Sequence, residues 1–260
     1  MGRSLVLPVI GALALAACSD AGQAELARGN VLASQKKLEP AAEAYREAAR
    51  ALPGKARPLE LLGHVLFDLG QRPEARAAYA GAAKAEPGLA IDAEIGLARL
   101  DAEEGKLAEA LTRLDDTLKT HADSLYARLS RANLLMRRGA DGDARRALED
   151  TEAALVTDPA NAAALYTRGC AFIAAHQIEP ARQAFLRLER ADAASPLSSY
   201  GLARAAGAAN DRAEAIHHLR EAKRRARAVA GAWKPDQVRA DPAFRFMQDD
   251  ADLARILSEP

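Results

Sequence analysis

Residues 29–53 read GNVLASQKKLEPAAEAYREAARALP, and residues 63–87 read GHVLFDLGQRPEARAAYAGAAKAEP. Ten residues of the first stretch recur in the second at an interval of 34 residues, and five of these matches define the repeat. Alanine matches carry little weight in an alanine-rich chain, so the glycine, tyrosine and proline matches decide the comparison. The sequence therefore contains an internal repeat, and a period of this length is typical of stacked helix pairs. The matched pairs are Gly29 and Gly63, Ala41 and Ala75, Tyr45 and Tyr79, Ala48 and Ala82, and Pro53 and Pro87.

The repeat resembles the tetratricopeptide repeat (TPR), a helix–turn–helix unit of the same length. In that family small residues let the two helices approach closely and an aromatic side chain fills the gap between them. Proline ends the second helix because it lacks an N–H group. The resemblance implies an all-α fold, a right-handed α-solenoid of about six repeats over residues 22–229, with a C-terminal capping helix region over 230–260. The repeats are predicted at 22–55, 56–90, 91–124, 125–161, 162–195 and 196–229.

The third and fourth repeats depart from the pattern. Leu114 and Thr151 stand where the first two repeats have tyrosine, and Ala122 stands where proline is expected. Three extra residues fall in the turn between the helices of the fourth repeat, around residues 139–143. The tryptophan that the family has near the start of each repeat is absent from all six, so we expect looser packing there.

The composition favours helices and a neutral surface. Hydrophobic residues make up 49% of the 260-residue chain, whereas aromatic residues make up only 4%. Alanine therefore supplies much of the apolar content, and it is the best helix former and is depleted in strands. Lys and Arg together number 36, as do Asp and Glu, so the formal net charge is zero. That balance argues against a polybasic nucleic-acid-binding protein.

The N-terminus has the pattern of a bacterial export and lipidation signal. Arg3 precedes an apolar run over residues 5–17, which is too short to span a bilayer and fits the h-region of a secretory signal. The sequence LAAC at 15–18 resembles the lipobox, in which cleavage leaves an acylated cysteine as the first residue. We therefore expect residues 1–17 to be removed and Cys18 to be lipidated. The alternatives are ordinary cleavage with an unmodified thiol and an uncleaved anchor.

Ser19 follows the cysteine and bears on location. By resemblance to lipoprotein sorting, serine at this position permits transfer to the outer membrane, whereas aspartate would favour the inner membrane. The predicted location is the periplasmic face of the bacterial outer membrane, with a soluble periplasmic protein as the alternative. Residues 18–23 are predicted to form a short tether, because the first helix is expected to begin near Ala24. Two or more acyl chains hold a protein stably on a membrane.

The sequence contains no recognised catalytic or metal-binding motif. A glycine-rich phosphate loop, a Gly-x-Ser-x-Gly elbow and a His-Glu-x-x-His motif are all absent. His217 and His218 are adjacent, so on a helix they point about 100° apart and do not form an i, i+4 metal-binding pair. Cys170 is interpreted as a small core residue rather than a nucleophile. We therefore predict that the protein is not an enzyme and uses no cofactor, no metal and no small-molecule substrate.

The remaining candidate for function is a binding surface. In TPR proteins the first helices of successive repeats line a concave groove, and the resemblance assigns that groove to thirteen residues here. The first half is polar and mixed in charge, whereas the second is richer in Tyr, Met and Ile, as interface cores are. The alternative for the tyrosines is packing between repeats. The predicted groove residues are Arg57, Glu60, His64, Phe67, Arg99, Tyr126, Asn133, Met136, Arg137, Tyr166, Ile173, Tyr200 and Arg204.

A basic stripe ends the sixth repeat. Arg220, Lys223, Arg224 and Arg227 share one helical face. Terminal repeats need a polar outer face, so we interpret the stripe as a solvated capping face. The alternative is a contact with anionic lipid headgroups or with an acidic partner. Farther on, Asp-Pro at 241–242 and the apolar residues that follow predict short amphipathic helices that close the end of the repeats.

Together these features predict a non-catalytic interaction scaffold or assembly factor, lipid-anchored, whose groove binds periplasmic or outer-membrane proteins. A lipidated cysteine followed by about six repeats resembles the small outer-membrane TPR lipoproteins that assist assembly of type IV pilus secretins. The alternative pathway is a scaffold for peptidoglycan enzymes or for exopolysaccharide export. An enzyme is the rival class of function.

Overall fold

The computed structural model describes residues 7–227 and 234–258, with side chains from residue 20 onward. Over these residues every regular element is helical, which confirms the predicted all-α class. The chain divides into two compact units, Met1–Ala122 and Asp123–Pro260. Arg3 and the Cys18 side chain lie outside the described part of the chain, as does the predicted boundary between repeats and cap at 229–230.

Within each unit, consecutive helices pack in pairs, one pair for each predicted repeat. The first unit contains α1 (Leu7–Ser34), α2 (Leu38–Ala51), α3 (Ala56–Asp68), α4 (Arg72–Ala85), α5 (Ile91–Glu103) and α6 (Leu107–Thr120). The second unit contains α7 (Leu125–Arg138), α8 (Asp143–Thr157), α9 (Ala162–Ala174), α10 (Ile178–Ala191), α11 (Pro196–Ala208) and α12 (Arg212–Ala226). Its C-terminal cap contains α13 (Pro235–Ala240), a 3₁₀ helix η1 (Pro242–Met247) and α14 (Ala251–Ser258).

The turn between the two helices of each pair contains a residue in the left-handed backbone conformation, with φ between +56° and +82°. Glycine adopts this conformation freely, whereas other residues lose about 1–2 kcal/mol. In three of the turns the left-handed residue is not glycine, so these turns are less stable than they would be with glycine at that position. The left-handed residues are Lys36, Gly70, Gly105, Gly139, Gly142, His176 and Asn210, and both Gly139 and Gly142 belong to the longer turn of the fourth pair.

Aromatic side chains from the second helices fill the space between first helices. The Tyr79 ring is buried against two glycines, Gly63 of its own pair and Gly96 of the next pair. A Cβ atom added at either glycine would lie 2.5 Å from the tyrosine ring. The same arrangement recurs where the Phe185 ring packs against Gly169 and Gly201. Glycine at both places is therefore a packing requirement of the large side chain.

Buried carboxylates join the two helices of a pair. Asp150 of α8 is 1% exposed and accepts hydrogen bonds from Arg131 Nε at 2.9 Å and Nη2 at 2.6 Å. Asp143 accepts hydrogen bonds from Arg138 Nε at 2.8 Å and Nη2 at 2.6 Å, and from the Ala140 N–H at 3.0 Å. Because Asp143 begins α8 and its carboxylate bonds to Arg138 at the end of α7 and to Ala140 within the turn, it orders the three-residue insertion of the fourth repeat.

Helix α1 begins well before the position expected from the sequence. It starts at Leu7 and continues to Ser34, so the prediction of a helix start near Ala24 was wrong. Residues 12–17 read ALALAA, and alanine and leucine are the strongest helix formers. No glycine or proline interrupts residues 12–21, so nothing local ends the helix there. None of the described helices combines the length and apolarity that a membrane crossing requires.

The C-terminal cap packs on the last helix pair through an apolar core, and the basic stripe takes part in that packing. Lys223 is 7% exposed, and its Nζ donates a hydrogen bond to the Ile256 carbonyl at 2.7 Å. Arg224 and Arg227 are exposed. The interpretation as a solvated face was therefore wrong for Lys223, because α14 covers it. The core contains Ala203, Ala206, Ala215, Ile216, Leu219, Val238, Phe244, Met247, Leu253, Ile256 and Leu257.

Candidate functional site

The predicted groove residues of the first unit begin with an ion-pair cluster on α3 and α5. Arg57 Nη1 lies 2.8 Å from Asp92 Oδ2 and 3.5 Å from Glu60 Oε2, so one guanidinium group bridges two carboxylates. Glu60 is 6% exposed, and burial raises the pKa of its carboxyl group, with the nearby Asp92 charge adding to the effect. The Arg57 guanidinium group is therefore paired with carboxylates of its own chain. The sequence pattern identified Arg57 and Glu60 but gave Asp92 no role.

His64 lies one turn farther along α3 and contacts the tyrosine that packs the pair. The Tyr79 hydroxyl is 2.9 Å from His64 Nδ1, and the two rings meet edge to face with centroids 5.4 Å apart. Burial lowers the pKa of His64, so the imidazole is neutral at neutral pH. Its Nδ1 can then accept a hydrogen bond from the Tyr79 hydroxyl. This contact orients His64 and places it among the residues that hold the repeat together.

Phe67 and Arg99 are also brought together. Arg99 Cζ lies 3.8 Å from the Phe67 ring centroid, and Arg72 Cζ lies 3.9 Å from it, which are cation–π distances. Phe67 itself is only 5% exposed, so it is a packing residue rather than a contact available to a partner. The first-unit surface is therefore a set of internally paired charges over a closed aromatic layer.

The second unit presents a different surface, beginning on α7. Tyr126 is 70% exposed, which is a large exposed fraction for an aromatic side chain. Asn133 and Arg137 are exposed on the same helix, and Met136 is half-buried. This surface thus combines an exposed ring, a flexible thioether side chain and polar groups, which are the ingredients of a protein-binding surface.

Helix α9 adds apolar side chains to the surface that begins on α7. Met136, Tyr166, Cys170 and Ile173 belong to one cluster that packs around the buried Phe185 ring. The Tyr166 and Phe185 centroids are 5.8 Å apart. Cys170 is 8% exposed, and burial raises the pKa of its thiol, which leaves it protonated and poorly nucleophilic at neutral pH. Tyr166 therefore packs between repeats with part of its surface exposed, whereas Tyr126 has most of its surface free.

The last two predicted groove residues hold the cap. The Tyr200 hydroxyl donates a hydrogen bond to Asp241 Oδ2 at 2.7 Å, and Arg204 Nε lies 2.9 Å from the same oxygen. Arg204 Nη1 also donates to Cys170 Sγ at 2.7 Å. These contacts use the polar groups of Tyr200 and Arg204 within the chain. The sequence pattern gave Asp241 only a helix-start role, and it fills that role too by accepting the Ala243 N–H at 3.0 Å.

The described residues contain no group of three or more His, Cys, Asp or Glu side chains placed to hold a metal ion. His217 and His218 have ring centroids 5.0 Å apart, and His218 Nε2 lies 3.3 Å from Glu214 Oε2. Burial lowers the pKa of His218, with the neighbouring His217 adding to the effect. His218 and Glu214 are four residues apart on α12, so their pairing is a contact within one helix.

No protein-family model matches the chain, and no curated protein matches it. Solved structures do resemble it. PilW, a widely conserved type IV pilus biogenesis factor, has a TM-score of 0.67 and 12% identity, covering 81% of this chain and 96% of PilW. PilF of Pseudomonas aeruginosa has a TM-score of 0.64 and 16% identity, covering 85% of this chain and 99% of PilF.

A third similar structure is TTC0263, a thermophilic TPR protein in Thermus thermophilus. It has a TM-score of 0.60 and 19% identity, with 68% of this chain and 94% of TTC0263 covered. At these identities the likeness establishes the fold. The chain therefore has the fold of tetratricopeptide-repeat proteins, as the repeat pattern of the sequence predicts.

Proposed function

We propose that the protein is a non-catalytic scaffold for protein–protein interactions and that the α7–α9 surface of the second unit is its main partner-binding surface. The observation that carries this proposal is the 70% exposure of Tyr126 on α7, the helix that also carries the half-buried Met136, with the half-buried Ile173 on α9. Exposed aromatic residues next to apolar ones are typical centres of binding energy in protein interfaces. The first-unit surface, with its charges paired internally, is assigned the lesser role of setting orientation and excluding wrong partners.

The partner is proposed to be a periplasmic or outer-membrane component of a pilus or secretin-type assembly. Support comes from the likeness to PilW, a type IV pilus biogenesis factor, over 81% of this chain. The alternative is a scaffold for peptidoglycan enzymes or exopolysaccharide export. Recovery of a secretin or pilus subunit by crosslinking at the α7–α9 surface would favour the first pathway. Recovery of a cell-wall enzyme or export component would favour the second.

Attachment to the membrane is proposed to occur through acylation of Cys18 at the periplasmic face of the outer membrane. Support comes from the lipobox-like LAAC at 15–18 and from Ser19. A Cys18→Ala variant is expected to move from the membrane pellet to the soluble periplasmic fraction, because two or more acyl chains supply the stable anchor. A variant that still sediments with membranes, while a soluble periplasmic marker does not, would contradict the lipid anchor.

The binding surface can be tested with a matched pair of variants. Tyr126→Ala removes the exposed ring from α7, whereas Val156→Ala removes an equally exposed side chain from α8, Val156 being 75% exposed. Both variants are expected to fold as the wild type does, because neither side chain is packed in the core. Crosslinking in intact cells followed by mass spectrometry should lose one envelope partner in Tyr126→Ala and retain it in Val156→Ala. Equal recovery from both variants would reject Tyr126 as part of the binding surface.

A further inference from the structure

The packing at the start of the first unit limits how far Cys18 can lie from the connection between α2 and α3. Gly22 packs against the end of α2, where a Cβ atom added to it would lie 2.5 Å from Leu52 Cγ and 3.0 Å from Ala51 Cβ. Cys18 precedes Gly22 by four residues, which span at most about 14 Å even when fully extended. An acyl chain on Cys18 would therefore hold the α2–α3 connection close to the bilayer.

The α2–α3 connection lies beside the α4–α5 connection. Lys55 Nζ lies 3.5 Å from Glu86 Oε1, and the Ala56 N–H donates a hydrogen bond to Glu86 Oε2 at 2.7 Å. One carboxylate therefore joins the two connections at the same end of the helix pairs. All the residues of the stretches 53–55 and 87–89 are exposed there, and we call these two stretches the loop edge.

The loop edge presents an apolar side chain on a fixed backbone. Its two stretches read PGK and PGL, and the second ends with Leu89, which is 70% exposed. The Leu89 N–H donates a hydrogen bond to the Glu86 carbonyl at 3.1 Å, and His121 Nε2 at the end of α6 contacts the Gly88 carbonyl oxygen. These contacts hold the Leu89 side chain at the surface of the unit.

The carboxylates that adjoin the second stretch in the sequence are paired within the chain. Glu86 is held by Lys55 and by the Ala56 N–H, and Asp92 Oδ2 lies 2.8 Å from Arg57 Nη1. Neither stretch of the loop edge contains an acidic residue of its own. The loop edge therefore combines an exposed leucine with a lysine whose apolar stem can lie along a lipid interface.

We infer that the loop edge of the first unit contacts the lipid bilayer, with Leu89 inserted among the headgroups. This inference rests on the proposed acylation of Cys18, and it adds the surface of the protein that the anchor brings to the membrane. The acylated residue selects a bilayer as the occupant, because it fixes lipid within about 14 Å of Gly22. Burial of an exposed leucine in the interface then stabilises one orientation of the unit.

The test compares two exposed apolar residues at opposite ends of the helices of the first unit. Leu89 lies in the loop edge, whereas Val31 is 55% exposed in the last turn of α1. Thirteen residues of helix separate Val31 from Cys18, a rise of about 20 Å. Because both residues are apolar and exposed, a label attracted to lipid only by its own hydrophobicity would respond equally at the two positions.

The acylated full-length product is purified from membranes as Leu89→Cys and as Val31→Cys, labelled with a thiol-reactive nitrobenzoxadiazole and reconstituted into vesicles. The vesicles contain phosphatidylethanolamine and phosphatidylglycerol, with or without nitroxide-labelled lipid. The unsubstituted protein reports any labelling of Cys170, which is buried. Circular dichroism checks that both variants are as helical as the unsubstituted protein.

Nitroxide lipid should quench the label at position 89 severalfold more than the label at position 31, and iodide in the water should show the opposite order. A second variant keeps the label away from Leu89. With the label at Pro53→Cys, which is also in the loop edge, Leu89→Asp should reduce the quenching by nitroxide lipid severalfold. The physical reason is that a carboxylate does not enter the interface as leucine does.

Three results would overturn the inference. Equal quenching of the labels at positions 89 and 31 is one, and an unchanged signal from position 53 in Leu89→Asp is another. The third is protection of position 89 from iodide without quenching by nitroxide lipid, which would assign the loop edge to a protein, including a second copy of this chain.

Mass spectrometry of the purified protein separates failure of this inference from failure of the proposed attachment. Absence of acyl chains on Cys18 would overturn both. Acylated protein with equal quenching at positions 89 and 31 would overturn the loop-edge contact alone. Neither result bears on the crosslinking difference between Tyr126→Ala and Val156→Ala, which tests the scaffold function.

Discussion

Replacement of Gly201 by alanine tests whether the close contact with Phe185 determines the packing of the fifth and sixth repeats. A Cβ atom at position 201 would lie 2.2 Å from Phe185 Cδ1, far inside van der Waals contact. The ring has little room to move, because it is fully buried and a Cβ atom at Gly169 would lie 2.4 Å from it. The strain must therefore be absorbed by the backbone of α11 or by a displaced ring.

The expected loss of stability follows from two opposing effects. Overpacking of a close-packed core costs about 1–3 kcal/mol, and the higher helix propensity of alanine offsets about 1 kcal/mol of this. We expect Gly201→Ala to lower the free energy of unfolding by up to about 2 kcal/mol. Gly81→Ala is the matched control, because the nearest atom to its Cβ would be Leu59 Cδ1 at 3.3 Å, the end of a flexible side chain. That variant should be neutral or up to about 1 kcal/mol more stable.

A double mutant separates the ring contact from other effects. Leucine occupies the position equivalent to Phe185 in the third and sixth repeats, at Leu114 and Leu219, so the site accepts it. In a Phe185→Leu background the cost of Gly201→Ala should fall by about 1 kcal/mol. Urea unfolding monitored by circular dichroism measures the wild type, Gly201→Ala, Phe185→Leu, the double mutant and Gly81→Ala. Equal stability of Gly201→Ala and Gly81→Ala, or an equal cost of Gly201→Ala in both backgrounds, would refute the role assigned to the ring contact.

Further outcomes follow from the buried ion pairs and turns. Asp150→Asn should lower the free energy of unfolding by about 3 kcal/mol, because it removes the buried carboxylate that pairs with Arg128 and Arg131. The hydrogen bond from Arg138 lowers the pKa of Asp143. The stability that this carboxylate contributes is therefore present above about pH 4 and is lost as the pH falls. In Asp143→Asn the urea midpoint should change less between about pH 7 and about pH 3.5 than it does in the wild type. Lys36→Gly should raise the melting temperature, by relief of about 1 kcal/mol of left-handed strain. Arg204→Ala and Asp241→Ala should couple by more than about 1 kcal/mol in a double-mutant cycle.

Each of these expectations has an outcome that would contradict it. Asp150→Asn with wild-type stability would show that water compensates the arginines. An unchanged pH profile in Asp143→Asn would assign acid sensitivity to other carboxylates. A lower melting temperature for Lys36→Gly would mean that the lysine side chain contributes more than its backbone strain costs. Additive effects at Arg204 and Asp241 would remove the cap contact as a source of stability.

The repeat pattern was sufficient to predict the fold because its signals are local. Tyr45 and Tyr79, with the glycines and prolines at the same interval, report a packing geometry that repeats every 34 residues. The start of α1 was misjudged for an equally local reason. The residues that define an export signal, alanine and leucine, are also strong helix formers, so one stretch satisfies both descriptions.

The long-range contacts were not readable from the sequence. Gly96 and Gly201 pack against aromatic rings of the preceding pair, whereas the repeat pattern places its glycine on the ring's own pair. Asp241 reaches Tyr200 across 41 residues of sequence, a distance at which no periodicity links two side chains. A carboxylate of the cap could be assigned to the groove only once the path of the cap was known.

The predicted groove residues differ in how available they are to a partner: some are paired with other side chains of the same chain, and others are exposed. Arg57, Glu60 and Arg204 are paired inside the chain, so a partner that used them would first have to break those pairs. Breaking the largely buried Arg204–Asp241 pair costs several kcal/mol, which is comparable with the free energy of a weak protein complex, whereas the Arg57 side chain is more than half exposed and its pairs cost less to break. Tyr126 carries no such cost, because its ring is exposed before binding and gains burial on contact. Partner recognition is therefore expected to begin at α7 and to extend toward Ile173, while the cap contact at Asp241 limits the surface at α11.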